Sequence, residues 1–209
     1  MAIPGSLAER AFLLAYNPDK GRVGWGVHLG AVLRAAALAD LYLEGHLTDK
    51  NGRPAVAAVR RPPHDPVLVA LLGEIAGARP RKWQVWVGRR HRHVIAAVRQ
   101  QLSEGGWVRL EPRRILGLFP TTKVTIRDPR VRRELLRRVG DAMKEPVLRV
   151  EPADAALVTL VAEGRLTHVL DRRAKRAGKR RFHDLAELTG PVGPALRKAI
   201  QSAEAAQAG

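Results

Sequence analysis

Residues 25–47, WGVHLGAVLRAAALADLYLEGHL, decide the fold of this 209-residue chain. Leu33, Ala37 and Leu41 recur at the spacing of one helical face, which predicts an apolar helix over about residues 27–44. The apolar run within this segment is interrupted by an aspartate and is far too short to span a bilayer. We therefore expect an apolar helix of a folded globular protein, not a membrane span.

The composition of the chain points to the same class of fold. Hydrophobic residues make up 45% of the sequence and aromatic residues only 4%. This hydrophobic content is enough for a substantial core, and abundant Ala and Leu favour helices that pack on helices. We predict a single globular, mainly α-helical domain over residues 1–209, with one or two small β-hairpins and a frayed tail at about residues 202–209.

The charge of the chain suggests the kind of partner. A formal net charge of +17 predicts attraction to polyanions, although it says nothing about the fold. The sequence has no cysteine, which excludes disulfides, thiolate metal sites and cysteine nucleophiles. The N-terminus lacks the basic and apolar regions of a secretory signal. We expect a cytoplasmic protein whose membrane contact is peripheral, on the cytosolic face.

Local signals place several further elements. Ser6 and Glu9 have the spacing of a capping box, and Asn51-Gly52 is a typical hairpin turn. The pairs Asp65-Pro66 and Asp128-Pro129 each predict a helix start. We also predict one helical region from about residue 81 to 103, a second hairpin over residues 107–119 with its turn at 111–114, and a helix over residues 152–163.

The sequence lacks the usual marks of catalysis. It contains neither a Gly-x-Ser-x-Gly nucleophile motif nor a phosphate-binding Gly-x-x-x-x-Gly-Lys-[Ser/Thr] loop. His91 and His93 are the one close histidine pair, and positions i and i+2 of a helix diverge, which argues against a shared metal. We therefore predict that the chain is not an enzyme and uses neither a cofactor nor a metal.

Arginines form the most informative cluster. Arg89, Arg92 and Arg99 share one stripe of a predicted helix, and the planar guanidinium fork suits phosphate. A solvated charged face explains this stripe equally well. Arg34 is more unusual, because it lies within the apolar helix of residues 27–44, where an unpaired charge is costly to bury. An anion site accounts for Arg34, and so does extension of the side chain to the surface.

Two apolar features are candidate contacts with a membrane or a partner. Trp25 stands between two glycines, and tryptophan is favoured at the headgroup level of membranes. Leu116, Leu118 and Phe119 make the predicted hairpin unusually apolar, directly after two arginines. Core packing is the default for these side chains. The alternative is a tip that inserts into lipid or mediates self-association.

Two other functions remain open at the level of sequence. Helix endings followed by hairpins are similar to winged-helix modules, which would make the chain a nucleic-acid-binding protein. Its basic helices would serve this role, although no aromatic residues alternate with their charges, as single-strand binding usually requires. The other possibility is an interaction module for an acidic protein. The arginines of the nucleic-acid alternative are Arg130, Arg132, Arg133, Arg137, Arg138 and those of residues 172–181.

Over residues 7–189 the chain resembles the Golgi phosphoprotein 3 family of phosphatidylinositol 4-phosphate binders. The order and spacing of several short motifs carry this resemblance, and an Ala- and Arg-rich composition suggests a bacterial member. The motifs are LAERAFLL at residues 7–14, Leu33-Arg34, LYLEGHL at residues 41–47, Leu102-x-Glu104-x-Gly106, and Leu118-Phe119.

The resemblance implies a mainly α-helical domain with a basic pocket for an anionic lipid headgroup. Family members use a tryptophan, an arginine nine residues later, and two arginines three residues apart on a later helix. Trp25, Arg34 and Arg92 occupy the first three positions. The fourth is Ile95, which cannot bind phosphate, and Arg89 or Arg99 are the candidate replacements. The apolar hairpin would insert into the membrane or form a homo-oligomer.

Overall fold

A computed structural model of the chain describes residues 1–17, 21–23, 28–58, 61–115 and 119–209. Within these residues the protein is mainly α-helical, as the sequence predicts. The helices are α1 (Leu7–Ala15), α2 (Leu29–Leu43), α3 (Pro66–Ala76), α4 (Trp83–Val87), α5 (His91–Glu104), α6 (Pro129–Ala142), α7 (Pro152–Glu163), α8 (Arg172–Ala177), α9 (Lys179–Glu187) and α10 (Val192–Ala208), with a 3₁₀ turn at Val147–Arg149.

The strands of the described residues form antiparallel two-stranded sheets. In the first, β1 pairs with β2 next to α1, and in the second, β3 pairs with β4 in the hairpin predicted from Asn51-Gly52. In the longest, β5 pairs with β6, with Val108 opposite Ile126 and Ile115 opposite Phe119. The strands are β1 (Tyr16–Asn17), β2 (Arg22–Val23), β3 (Leu47–Asp49), β4 (Pro54–Val56), β5 (Val108–Ile115) and β6 (Phe119–Ile126).

Helix α2 lies at the centre of one continuous hydrophobic core. It packs against α1, α3, α4, α5, α7 and α10. All residues from Leu29 to Leu41 are buried, including both charged residues of the helix, Arg34 and Asp40. Because other helices surround α2, each of its faces is buried, and this is why its sequence is apolar on every side. The segment that dominates the sequence is therefore the axis around which the other helices assemble.

The predicted helix starts are confirmed. Ser6 and Glu9 form a reciprocal capping box at α1. Asp65 accepts hydrogen bonds from the backbone N–H groups of Val67 and Leu68 at the start of α3. Asp128 likewise accepts from the N–H of Arg130 at α6. These caps satisfy N–H groups that the first turn of a helix leaves unpaired.

Other predictions of local structure were wrong. The helical region expected to reach residue 103 is divided into α4 and α5 by Gly88, Arg89 and Arg90. Residues 111–114, expected to form a turn, belong to β5, where Pro112 lies opposite Thr122. A proline is tolerated there because a strand of a two-stranded sheet has a free edge. The frayed tail expected at about residues 202–209 stays a prediction, and α10 extends through this segment to Ala208.

Helices long and apolar enough to cross a bilayer are absent from the described part of the chain.

Candidate functional site

Arg34 is buried and paired. The residue is 4% exposed, and its Nε donates to the carbonyl oxygen of Trp86 at 3.1 Å. Its Nη2 donates to Oε2 of Glu74 at 3.0 Å. Glu74 lies on α3, which carries no other charged residue. The charge that seemed isolated in the sequence thus has a carboxylate partner, and the guanidinium lies beneath the surface instead of facing solvent as we expected.

Glu74 connects Arg34 to the surface. Its other oxygen, Oε1, lies 3.7 Å from Nη1 of Arg90, and the Arg90 side chain is 57% exposed. Arg90 directly precedes α5 and has a left-handed backbone, with φ of 50°. One carboxylate therefore contacts a buried and an exposed guanidinium. It neutralises one of the two positive charges. Arg34, Glu74 and Arg90 together therefore keep a net positive charge, which would attract phosphate.

Trp86 forms the second connection between Arg34 and the surface. Its backbone carbonyl accepts from Arg34, and its buried ring lies under the guanidinium of Arg89, 5.6 Å from the ring centroid. Such a cation–π contact orients an arginine without neutralising it. Arg34, Arg89 and Arg90 therefore assemble around Trp86 and Glu74.

The N-terminus of α5 is exposed, basic and not capped by a side chain. We call Arg89, Arg90, Arg92 and His93, all exposed, the α5 basic surface. The sequence from residue 75 to 103 contains neither Asp nor Glu. Unpaired N–H groups and the helix dipole favour an anion at such a terminus.

A close approach of two helices fixes the position of this surface. A Cβ added to Gly30 of α2 would lie only 2.3 Å from Cβ of His91, the first residue of α5. The imidazole of His91 also contacts α4, where its Nε2 lies 2.9 Å from the carbonyl oxygen of Val87. The glycine thus lets α5 begin directly against the central helix.

The predicted stripe of Arg89, Arg92 and Arg99 is not one surface. Arg89 precedes the helix, and Arg99 lies partly buried with its guanidinium 5.9 Å from the centre of the Phe12 ring. Burial lowers the pKa of Arg99, and its buried Nε has no hydrogen-bond partner among the described residues. Arg99 therefore faces the core, whereas Arg92 faces solvent. Ile95 is partly buried and packs against the core.

The structure does not describe the two apolar features that were proposed as contacts with a membrane or a partner. Trp25, Leu116 and Leu118 lie outside the described residues. Phe119 begins β6, and its side chain also lies outside the described part. The roles proposed for these residues stay predictions.

Four of the arginines proposed for nucleic-acid binding are engaged within the protein, whereas Arg130 and Arg133 are exposed. Arg137 and Arg138 both pair with Glu134 of the same helix, and Arg138 also pairs with Asp154 of α7. Arg132 donates to the carbonyl oxygen of Tyr16. Arg181 donates to the carbonyls of Ala142 and Glu145. These contacts use donors that a nucleic-acid backbone would need.

Sequence reasoning missed Glu74 and Trp86, and it placed Arg90 in the basic cluster of Arg89 and Arg92 without assigning it a role in the site. A signal for the first was present, because Glu74 is the lone charge of one apolar helix and Arg34 lies in another. Opposite charges in two buried helices are candidates for a pair. The role of Arg90 had no comparable signal, since it depends on the break between α4 and α5.

The fold and this surface define a mainly α-helical protein with an exposed, basic face at the start of α5. A family model described as Golgi phosphoprotein 3 (GPP34) matches residues 7–203. The chain therefore belongs to the Golgi phosphoprotein 3 family, which is not a known family of enzymes. A comparison with curated proteins gives no match.

Proposed function

We propose that this protein is a peripheral membrane protein that binds an anionic phospholipid headgroup at the α5 basic surface. The headgroup would be phosphatidylinositol 4-phosphate or another acidic lipid. The observation that carries the proposal is the exposure of Arg89, Arg90 and Arg92 at an uncapped helix N-terminus. Membership of the Golgi phosphoprotein 3 family supports it.

The chemistry of this surface suits a phosphomonoester. Arginine offers parallel donors to phosphate oxygens, and the first N–H groups of α5 add donors without an added charge. Each Lys or Arg near an anionic bilayer contributes about 1 kcal/mol, so the exposed arginines are sufficient for reversible binding. This attraction weakens as salt rises, because the interacting charges are exposed.

Arg34 acts in this proposal mainly through its neighbours. It holds Glu74, which contacts Arg90, and the Trp86 backbone, whose side chain supports Arg89. Its burial favours a positioning role over direct contact with the headgroup. Direct contact would require a phosphate to displace Glu74.

Trp25 precedes Gly30 by five residues, so it can be at most about 18 Å along the chain from Gly30, where α2 contacts α5. We keep it as the proposed anchor in the interface.

Flotation with lipid vesicles tests the proposal. The vesicles contain phosphatidylcholine alone, with phosphatidylserine, or with phosphatidylinositol 4-phosphate, at one salt concentration. The test variant is Arg89→Glu with Arg92→Glu. The matched control is Arg130→Glu with Arg133→Glu, which makes the same change in charge at two exposed positions of α6.

We expect the wild-type chain to float with anionic vesicles and not with phosphatidylcholine. The α5 variant should bind at least about 30-fold more weakly, the equivalent of about 2 kcal/mol, and the α6 control should bind within threefold of wild type. Equal loss in both variants would reduce the effect to net charge and overturn the proposed site. Tight DNA binding in a gel-shift titration, without flotation, would favour the nucleic-acid alternative instead.

A further inference from the structure

A second groove lies beside the α5 basic surface, and Trp86, whose ring supports Arg89, forms part of its lining. The β3–β4 hairpin, the C-terminal end of α3 and helix α4 enclose a volume of about 630 Å³. Ligand sites in proteins typically measure about 300–1,000 Å³. We call this space the hairpin groove. Its lining includes Lys50 and Arg53 at the hairpin turn, Pro54 and Val56 of β4, Ile75 of α3 and Trp86 of α4.

The groove combines an apolar floor with a cationic rim. Pro54, Ile75 and Trp86 are buried, whereas Lys50 and Arg53 are exposed. Among the described residues that line it there is no carboxylate. The nearby Asp49 already accepts from Trp83 Nε1 at 2.5 Å. A ligand in this groove would therefore meet hydrocarbon inside and positive charge at the mouth.

The turn of the hairpin holds the two cations beside each other. The N–H of Lys50 donates to the carbonyl of Arg53 at 2.8 Å, and the N–H of Arg53 donates back at 3.2 Å. Asn51 and Gly52 between them have φ of 55° and 73°, as a tight hairpin turn requires. Residues paired in this way carry their side chains on the same face, where like charges repel. An anion bound between them would relieve that repulsion.

Trp86 lines the groove with a buried side chain. Its side chain is almost fully buried, and its Nε1 has no hydrogen-bond partner among the described residues. A buried N–H without an acceptor costs free energy, and such groups are uncommon in native proteins. Because Nε1 is not accessible, the indole contributes apolar surface to the floor of the groove and no donor to a ligand.

We propose that the hairpin groove binds a single-chain amphiphile with a phosphate head, of the lysophosphatidate class. The phosphate lies between Lys50 and Arg53, and the acyl chain covers Pro54, Ile75 and the indole of Trp86. A peptide that adds a strand to β4 fits less well, because Pro54 has no N–H to donate to it. The proposal does not rest on headgroup binding at the α5 basic surface.

Titration calorimetry with lauroyl lysophosphatidate below its micelle concentration tests this proposal. Glycerol 3-phosphate supplies the head without the chain, and a decapeptide of aspartate and leucine supplies an acidic alternative. The test variants are Lys50→Glu with Arg53→Glu, which removes the cations, and Val56→Asn, which removes an exposed part of the apolar wall. The control is the Glu variant of Arg130 with Arg133, which makes the same change in charge away from the groove.

We expect saturable binding of one lysophosphatidate, at least tenfold tighter than glycerol 3-phosphate. Changing Lys50 and Arg53 should weaken it at least tenfold, Val56→Asn about threefold, and the control on Arg130 and Arg133 no more than twofold. Equal affinity for glycerol 3-phosphate, tighter binding of the peptide, or unchanged binding by the Lys50 and Arg53 variant would each overturn the proposal. The vesicle experiment on Arg89 and Arg92 is independent of all three results, so either site can fail alone.

Discussion

Two regions of this molecule are rich in arginine, and they differ in where their carboxylates lie. In α6, Glu134 lies 2.6 Å from Arg137 and 3.3 Å from Arg138, and Asp141 and Asp154 add further pairs. At the α5 basic surface, only Glu74 among the described residues contacts an arginine, Arg90, at 3.7 Å. Carboxylates thus compensate Arg137 and Arg138 in the C-terminal half of α6, whereas Arg89 and Arg92 of the α5 basic surface have no carboxylate partner among the described residues.

The difference shows that a net charge of +17 does not describe where the protein can bind an anion. An anion needs arginine donors that no carboxylate of the protein already occupies, and tertiary contacts determine which donors those are. Burial differs too, because Glu74 faces the buried Arg34, whereas the partners of Glu134 lie near solvent. A buried pair and an exposed network respond differently when one partner is removed.

The largest difference is expected between Glu74 and Glu134, the carboxylates that pair with arginines in the two regions. Glu74→Gln leaves the buried Arg34 without a counter-charge and should lower the free energy of unfolding by about 3 kcal/mol, since the pair is mostly buried. The matched change Glu134→Gln removes exposed pairs and should cost much less. Urea denaturation of both variants measures this. Equal losses would contradict the distinction between the two regions.

The sequence predicts those parts of the fold that local chemistry controls. The capping box of Ser6 and Glu9, and the caps at Asp65 and Asp128, are complete within four residues and occur as predicted. The hydrophobic pattern of α2 is equally local, and it correctly indicates a buried helix. Each of these features needs no information from elsewhere in the chain.

The parts that could not be predicted depend on distant residues. Arg34 and Glu74 are 40 positions apart, and neither sequence neighbourhood specifies the other. The helical sequence pattern continues on both sides of Arg90, yet Arg90 has a left-handed backbone and separates α4 from α5, beside the close approach of Gly30 to His91. Pro112 suggested a turn, but the free edge of β5 accommodates it. The sequence thus indicated which types of residue form the candidate site, but not how they are arranged in space.

The second largest effect is expected where α2 meets α5. Gly30→Ala would place a methyl group 2.3 Å from Cβ and 2.9 Å from Cα of His91, so the start of α5 must move. Alanine is otherwise the better helix former, yet the clash should lower stability by about 2 kcal/mol. Vesicle binding should weaken as well, because the α5 basic surface is displaced. Thermal unfolding and flotation test both outcomes, and a variant as stable as wild type would refute the close contact.

The pH dependence of stability should distinguish the carboxylates of α2 from those of α6. Burial raises the pKa of Asp40 to about 8, although the carboxyl accepts the Leu7 N–H at 2.8 Å. Hydrogen bonds from Arg137 lower the pKa of Glu134 to about 2. Between pH 5 and 8 the folded chain therefore retains a proton on Asp40 that the unfolded chain releases, whereas Glu134 is ionised in both states.

As pH rises over this interval, Asp40 should reduce the free energy of unfolding by about 1 kcal/mol per pH unit. Asp40→Asn removes this contribution, because asparagine still accepts from Leu7 and does not titrate. Glu134→Gln should keep the slope of the wild type. Denaturation curves at pH 5, 6, 7 and 8 give the difference between each variant and the wild type, in which the contributions of the histidines cancel. A constant difference for Asp40→Asn would contradict the burial of an acidic carboxyl.

The smallest effect is expected at Gly140, the α6 counterpart of Gly30. A Cβ at Gly140 meets no atom within 4 Å, and the residue has ordinary helical geometry within α6. Gly140→Ala should therefore stabilise the protein by about 0.5–1 kcal/mol, since alanine loses less backbone entropy and nothing must move. Thermal unfolding measures the shift, and vesicle binding should stay unchanged. Opposite signs for Gly30→Ala and Gly140→Ala would show that the two glycines differ in packing and not in helix propensity. Destabilisation of both would mean that α6 is also held by a close contact.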